Sequence, residues 1–486
     1  MSKFKLEFSL TQHTPLIHFQ SEQSGATLRA TELKPKLDRF LLEHVFQNDF
    51  ERYKKFLIGY KEPKKPKDKE MKEKDFEGKK ALDYKIKISP SEKIEIFDIA
   101  PIYNHYNHKH KRKEKRPLGF PIFFASIDKD WKEKSKKIKF SLTDNIDVSI
   151  KTFNTNLKNI IEENIVLFFF LHNFGMRQSK GFGSFTVSDG DIDDDVLNSF
   201  YYFDINISSL KHLEYHVPNR KKPLTFHQDL KKDFLDPITE TYENNFLLFK
   251  AMDLFYKTLR SGINFNSFYF KSLMFLYAKE KLKVQWDKKT FKSSFLSKNY
   301  IDEQKNKHDK SGCKSILTYS TNEKYLLRDC LGLSTIQEYN YSRDYKYSEK
   351  FTIRHPNTDI KKKDKFKNKD IEPNELVRMK SPLFMKPIKI KNNAYRVFIL
   401  EKEYPKDVFE KSMTILKVQN KKVKKKIDNL KLYPNFNLKE YLDFAFSTDI
   451  EAHLQKCGTS DKFLESQLLI SLYSNLNEQA KKKVSK

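Results

Sequence analysis

The stretch NFGMRQSKGFGSFTV, residues 173–187, separates an apolar helical pattern from a short strand pattern. It carries Gly175, Gly181 and Gly183, with Arg177 and Lys180 among them. Glycine reaches φ > 0 and lets another backbone come close. A basic, glycine-rich bend at a helix-to-strand junction offers N–H donors beside positive charge, which suits a phosphate chain. The plainer reading is a helix C-cap at Gly175 and a tight turn into a buried strand. The spacing is not G-x-x-x-x-G-K-[ST], so a nucleotide phosphate loop is unsupported and no cofactor is expected.

Upstream of the bend, Leu157, Ile160, Ile161, Asn164, Phe168 and Leu171 repeat at helical spacing. Phe168, Phe169 and Phe170 make that helix apolar on nearly all sides, which predicts burial between a sheet and a neighbour. Downstream, residues 185–187 form a closing strand. At the start of the chain, residues 3–11 alternate as a half-buried strand, and residues 14–19 restart it after Pro15. Leu33, Leu37, Phe40, Leu41 and Val45 then predict a helix capped by Thr31 with Pro35 in its first turn. Arg29, Lys34, Lys36 and Arg39 make the beginning of that helix basic. Residues 53–83 read as a solvated, Lys- and Pro-rich insertion, and residues 81–97, 121–125 and 138–150 as strands. The basic run 104–116 reads as an exposed loop. Strand, helix, strands, helix, strand is the order of a ferredoxin-like βαββαβ unit, so the fold class is α+β.

The acidic stretch 188–195, SDGDIDDD, marks a boundary. Residues 200–207 open a second half with another strand. Helices are expected over 246–260, 265–279 and 405–419 and from 445 onward, and strands over 381–390 and 394–400. Residues 299–314 are polar and loop-like, 359–370 are a second charged insertion, and 421–426 are a basic cluster. The division is residues 1–195, with an insertion at about 53–120 and the glycine-rich loop 175–183, and residues 196–486, a more divergent domain with helical insertions.

A chain of 486 residues predicts more than one domain. Hydrophobic residues at 38%, with 14% aromatic, suffice for real cores and exclude global disorder. Lys and Arg number 93 against 65 acids, giving a net charge of +28, which points to a polyanionic partner. Cys313, Cys330 and Cys457 are far apart, so neither a disulfide framework nor a cysteine metal site is expected, and a reducing cytoplasm fits. The longest apolar run, residues 165–171, is far too short to span a membrane.

Two stretches carry a resemblance. FSLTQHTPLIHF leading into LRATELKPKLDRFL, and an apolar helix running into GMRQSKGFGSF, resemble the RAMP superfamily of CRISPR proteins. Within it the look is that of the first-listed subunit of type III-B (Cmr) effector complexes. A weaker echo sits at residues 378–387, RMKSPLFMKP. Lys34-Pro35 stands where the family has an Arg-Gly pair. The resemblance implies tandem ferredoxin-like (RRM-like) RAMP domains and an RNA-binding role. The expected partners are guide RNA, held toward its 3′ end, target RNA and other RAMP subunits. Arg29, Lys34, Lys36, Arg39, Gly175, Arg177, Lys180, Gly181 and Gly183 are the expected RNA-contacting residues, on two bends that meet over one sheet.

Some RAMP relatives cleave RNA without metal, so a guide-processing endoribonuclease is the alternative. His13 and His18 lie on the first strand, where a histidine is more often structural. The loop 20–27 has Glu22 and no aspartate. His172 is the best remaining base, but the sequence fixes no acid–base partner for it, so catalysis is not expected. Lys109, Lys111, Arg112 and Lys113 would repel a cation from His105, His108 and His110, so no metal site is expected there.

Overall fold

A computed structural model describes residues 3–17, 27–63, 71–90, 93–98, 101–107, 111–117, 119–121, 139–211, 214–215, 224–225, 238–264, 269–284, 325–333, 336–340, 350–354, 376, 378–391, 393–419, 422–458 and 464–484. Expectations for His18, Glu22, His108, His110, Cys313 and residues 122–125, 299–314 and 359–370 lie outside them.

The chain is α+β. The first half contains β1 (Lys5–Gln12), α1 (Ala30–Phe40), β2 (Lys85–Pro90), β3 (Asn145–Lys151), α2 (Thr155–Leu171) and β4 (Phe185–Val187). These strands form one antiparallel sheet in the order β2-β3-β1-β4. Alternation decides its faces: Leu6, Leu10, Ile146, Val148 and Ile150 are buried under the helices, while Glu7, Asp147 and Lys87 face outward and are exposed. Asn154 caps α2 by accepting from the Leu157 amide at 3.1 Å. Residues 138–150 are two strands in different sheets, since Lys139–Thr143 pairs instead with Leu16–Ile17 and Ile94–Asp98.

Four local expectations are corrected. Within the helix expected over 265–279, Tyr269–Phe270 is a short strand paired with Ile263–Asn264, and the α-helix covers Leu273–Tyr277. The first helix starts at Ala30, with Arg29 at its N-cap and Pro35 inside it rather than in its first turn. Burial of Leu33, Leu37 and Phe40 holds it together despite the missing proline N–H. The basic run 104–116 lies largely within a hairpin, Ile102–Asn107 against Arg112–Pro117. Residues 405–419 are not helical: Met413–Gln419 is a strand paired with Lys422–Leu432, which contains the basic cluster. The β-branched residues Thr414, Ile415 and Val418 fit a pleated pair better than a helix.

The second half has β5 (Tyr201–Asn206), α3 (Glu240–Arg260), β6 (Leu383–Lys391) and β7 (Ala394–Glu401), followed by α4 (Leu438–Ser447) and α5 (Leu464–Val484). Its sheet runs β5-β7-β6, antiparallel throughout. Helix α3 is buried along most of its length, among Phe203, Phe446 and Tyr473. Cys330 and Cys457 are buried thiols outside any disulfide. Among the described residues no helix is long and apolar enough to cross a membrane.

The halves share a core through α2. Phe168 and Phe169 face the first sheet, while Phe170 packs against Phe384, Phe398 and Leu400 of the second. Beside them Lys386 of β6 is fully buried and donates to the carbonyls of Phe169 (2.8 Å), His172 (2.9 Å) and Phe185 (2.8 Å). All three ammonium protons are therefore used, at the negative end of the α2 dipole. Burial, with Lys36 and Lys402 nearby, pushes the Lys386 pKa well below the usual lysine range.

Lys386→Met would leave three buried carbonyls without a donor. It should destabilise the chain by about 3 kcal/mol or more, read as a lower urea midpoint. An unchanged midpoint would remove Lys386 from this role.

Candidate nucleic-acid interface

The glycine-rich bend follows directly from the end of α2. Gly183 sits at φ +65°, where a Cβ would overlap the Phe174 carbonyl oxygen. Gly175, at φ +74°, would bring a Cβ within 2.5 Å of the Ile17 carbonyl oxygen. Only glycine lets the bend lie this close to residues 14–17. The three glycine amides of the loop are engaged inside the protein. Gly175 donates to Glu32 Oε1 at 2.7 Å, Gly181 to the Gln178 carbonyl at 3.1 Å and Gly183 to the Pro15 carbonyl at 2.9 Å. The three glycines thus build a knot that fixes the loop, and these amides do not form an open anion cradle.

The beginning of α1 and the loop are brought together, as the sequence predicted. Glu32 is the joint: it accepts from the Gly175 amide, from Gln178 Nε2 at 3.3 Å and from Lys36 at 3.1 Å. Lys36 also donates to the Asn173 carbonyl at 2.9 Å and lies 4.6 Å from the Phe174 ring centroid. Lys34 is held by Asp38 at 2.8 Å and the Leu82 carbonyl at 2.9 Å, over the Tyr84 ring. Lys180 points inward, with its ammonium buried 3.0 Å from the Tyr256 ring centroid, and burial pushes its pKa down. These three lysines serve the fold.

The remaining cations differ in exposure. Arg39 is exposed, and Arg29 and Arg177 are half-buried. Arg177 adopts the left-handed conformation, φ 59°, uncommon for a residue with a Cβ. Burial lowers its pKa, and the charge of Arg378 lowers it further. Lys36 likewise feels Lys380 and Arg39 as like charges. Arg378 and Lys380 are exposed. They belong to the 378–387 echo, whose basic residues were visible in the sequence without any sign that they return to the first half. Asn173 Nδ2 shows how close that return is, donating to Gln178 of the loop at 2.8 Å and to Met385 of β6 at 3.0 Å.

Both histidines of interest are structural. His172 is hydrogen-bonded through Nδ1 to the Phe168 carbonyl at 2.8 Å and packs on Phe40 and Phe168. His13 Nδ1 accepts from the Lys389 amide at 3.2 Å, which leaves Nε2 to donate to Thr186 Oγ1 at 2.8 Å. Burial first, then nearby lysines, lowers each to about 3. Among the described residues no group of His, Cys, Asp and Glu could hold a metal ion.

Two outcomes follow. Gly183→Ala should lower stability by well over 1 kcal/mol, measured by urea unfolding, because strain and overlap combine. His13 and His172 are neutral when folded and take up protons below about 6.5 when unfolded. Their contribution is complete above that pH and is lost as pH falls toward 3. Between pH 6.5 and 5 the unfolding free energy from urea titrations should drop, by up to about 1.4 kcal/mol per pH unit for each histidine, and His13→Gln should flatten the slope.

The family model for the Cmr1 N-terminal domain matches residues 3–263, and that for the Cmr1 C-terminal domain matches residues 269–468. No curated protein matches the chain. With a glycine knot joined to a basic helix start, and both family domains matched in order, the chain belongs to the Cmr1 family of RAMP proteins, subunits of type III-B CRISPR effector complexes.

Proposed function

We propose that the chain is a non-catalytic, RNA-binding subunit that holds guide RNA toward its 3′ end, and the guide–target duplex, through phosphate contacts. The observation that carries this is a cationic seam: exposed Arg39 of α1, and exposed Arg378 and Lys380 just before β6, flank a glycine loop that is tied to α1 through Glu32 and to β6 through Asn173. Burial first and then the charge of Arg378 lower the pKa of Arg177; for Lys36, which Glu32 pairs, burial leads and Lys380 and Arg39 add smaller like-charge contributions. A fold that gathers like charges carries a free-energy cost that a polyanion offsets. Such contacts read no bases, so target choice rests on guide pairing. Arg29 belongs to the same reading. The internal roles of Lys34, Lys36 and Lys180 make them supports for this surface.

We read the first half as a ferredoxin-like RAMP unit and the second as its divergent counterpart. The order β2-β3-β1-β4, with α1 and α2 as crossovers, supports the first. The order β5-β7-β6, with α3 between β5 and β6, supports the second. His172 is no part of the reading as a base: its Nδ1 is engaged and the ring is largely buried. The partners are guide RNA, target RNA and the other Cmr subunits, in the cytoplasm.

Arg39→Ala with Arg378→Ala changes exposed residues only. It should weaken single-stranded RNA binding for all sequences alike. It should also lower the slope of log K against log salt by roughly 0.7 for each phosphate no longer neutralised. Affinity and slope equal to those of the parent chain would reject the seam as the RNA surface.

A further inference from the structure

The end of the first sheet remote from the glycine loop carries an aromatic pair that the core does not use. Phe153 is 91% exposed and Phe4 is 42% exposed. Their ring centroids are 6.2 Å apart, with planes inclined at 56°. The Thr152 amide donates to the Phe4 carbonyl at 3.2 Å, which joins the two segments. Phe153 does not sit on a loose loop. On one side Thr152 is buried and its hydroxyl donates to the Asp83 carbonyl at 2.7 Å. On the other, Asn154 caps α2. The backbone on both sides of Phe153 is tied down while the ring stands in solvent, an arrangement that costs hydrophobic free energy and adds nothing to the core.

The setting is cationic. Lys5, Lys151 and Lys85 stand opposite one another across three neighbouring strands. Like charges directly opposite on a sheet are unfavourable. Lys5 is paired with Glu7 on its own strand. Lys85 and Lys151 are exposed, and Lys3 lies 5.8 Å from the Phe4 ring centroid. Their neighbours in register, Leu6, Ile150 and Ile86, point into the core, so the lysines project from the face away from the helices. An exposed aromatic pair at the end of a lysine row matches a strand of unpaired bases, which offers a π-face and a phosphate at every step. A purely apolar protein partner would not call for the lysines.

We propose that Phe153, with Phe4, Lys85 and Lys151, forms a second RNA contact, a stacking platform for unpaired bases whose phosphates lie along the lysine row. It rests on the RNA-binding reading but not on the seam. The platform is at the opposite end of β1, roughly 25 Å away along an eight-residue strand. It takes single-stranded RNA, because bases locked in a duplex cannot stack on a side chain.

The test uses the full chain and fluorescence anisotropy at fixed salt, with a labelled single-stranded RNA, the same RNA as a duplex, and an abasic strand of equal length. Phe153→Ala should weaken the single strand at least five-fold and leave the duplex and the abasic strand unchanged. Phe153→Trp should restore binding. Lys85→Glu with Lys151→Glu should lower the salt slope for single strands. Equal affinity of Phe153→Ala and the parent chain would overturn the platform, as would equal losses for single strand and duplex. Unchanged RNA affinity with weakened association to the other Cmr subunits would reassign the patch to protein docking. Loss in Arg39→Ala/Arg378→Ala with none in Phe153→Ala rejects the platform alone. A parent chain that fails to bind any of the three RNAs rejects the functional reading as well.

Discussion

One buried ammonium holds the arrangement together. Lys386, on a strand of the second half, closes the carbonyl end of α2 and reaches the first residue of β4. Lys402 adds a bond to the Leu171 carbonyl at 3.2 Å, and Lys36 takes the Asn173 carbonyl. Lysines from three parts of the chain thus satisfy successive carbonyls where a helix end leaves them without partners. With the lowered pKa of Lys386 comes a constraint: the charge is tolerated only where the helix dipole and three acceptors compensate it. The glycine knot begins at this point, so the position of the loop depends on the clamp.

The candidate interface inherits its geometry from that clamp. Because β6 is locked against α2, the segment before it, with Arg378 and Lys380, is brought beside Arg177 and Lys36. Glu32 then fixes α1 to the loop. Lys34, Lys36 and Lys180 hold the loop and α1 in place, while Arg39, Arg378 and Lys380 are exposed beside them. A lysine that braces a helix and a cation left at the surface look alike in a sequence, and their partners in the fold separate them.

Much of the secondary structure was legible. Alternation gave β1, β5 and β7, and helical spacing gave α1 and α2, since both patterns follow from one buried face. The triple phenylalanine of α2 correctly signalled contact on two sides. The misreadings were local. Residues 405–419 contain apolar residues at both spacings, and pairing with residues 422–432 decided for a strand. The run 104–116 has a hydrophilic composition that hides a hairpin.

By itself the sequence determined the class of fold, the basic character, the family resemblance and the glycine bend. Those depend on periodicity, composition and backbone permissiveness, which are properties of short segments. Which cations face solvent was settled only in three dimensions. Lys180 turned to Tyr256, Lys34 to Asp38 and Leu82, and Lys36 to Glu32 and Asn173, while Arg378 and Lys380 arrived from some two hundred residues away. The physical reason is that a charge takes its role from its surroundings, and those are supplied by segments distant in the chain.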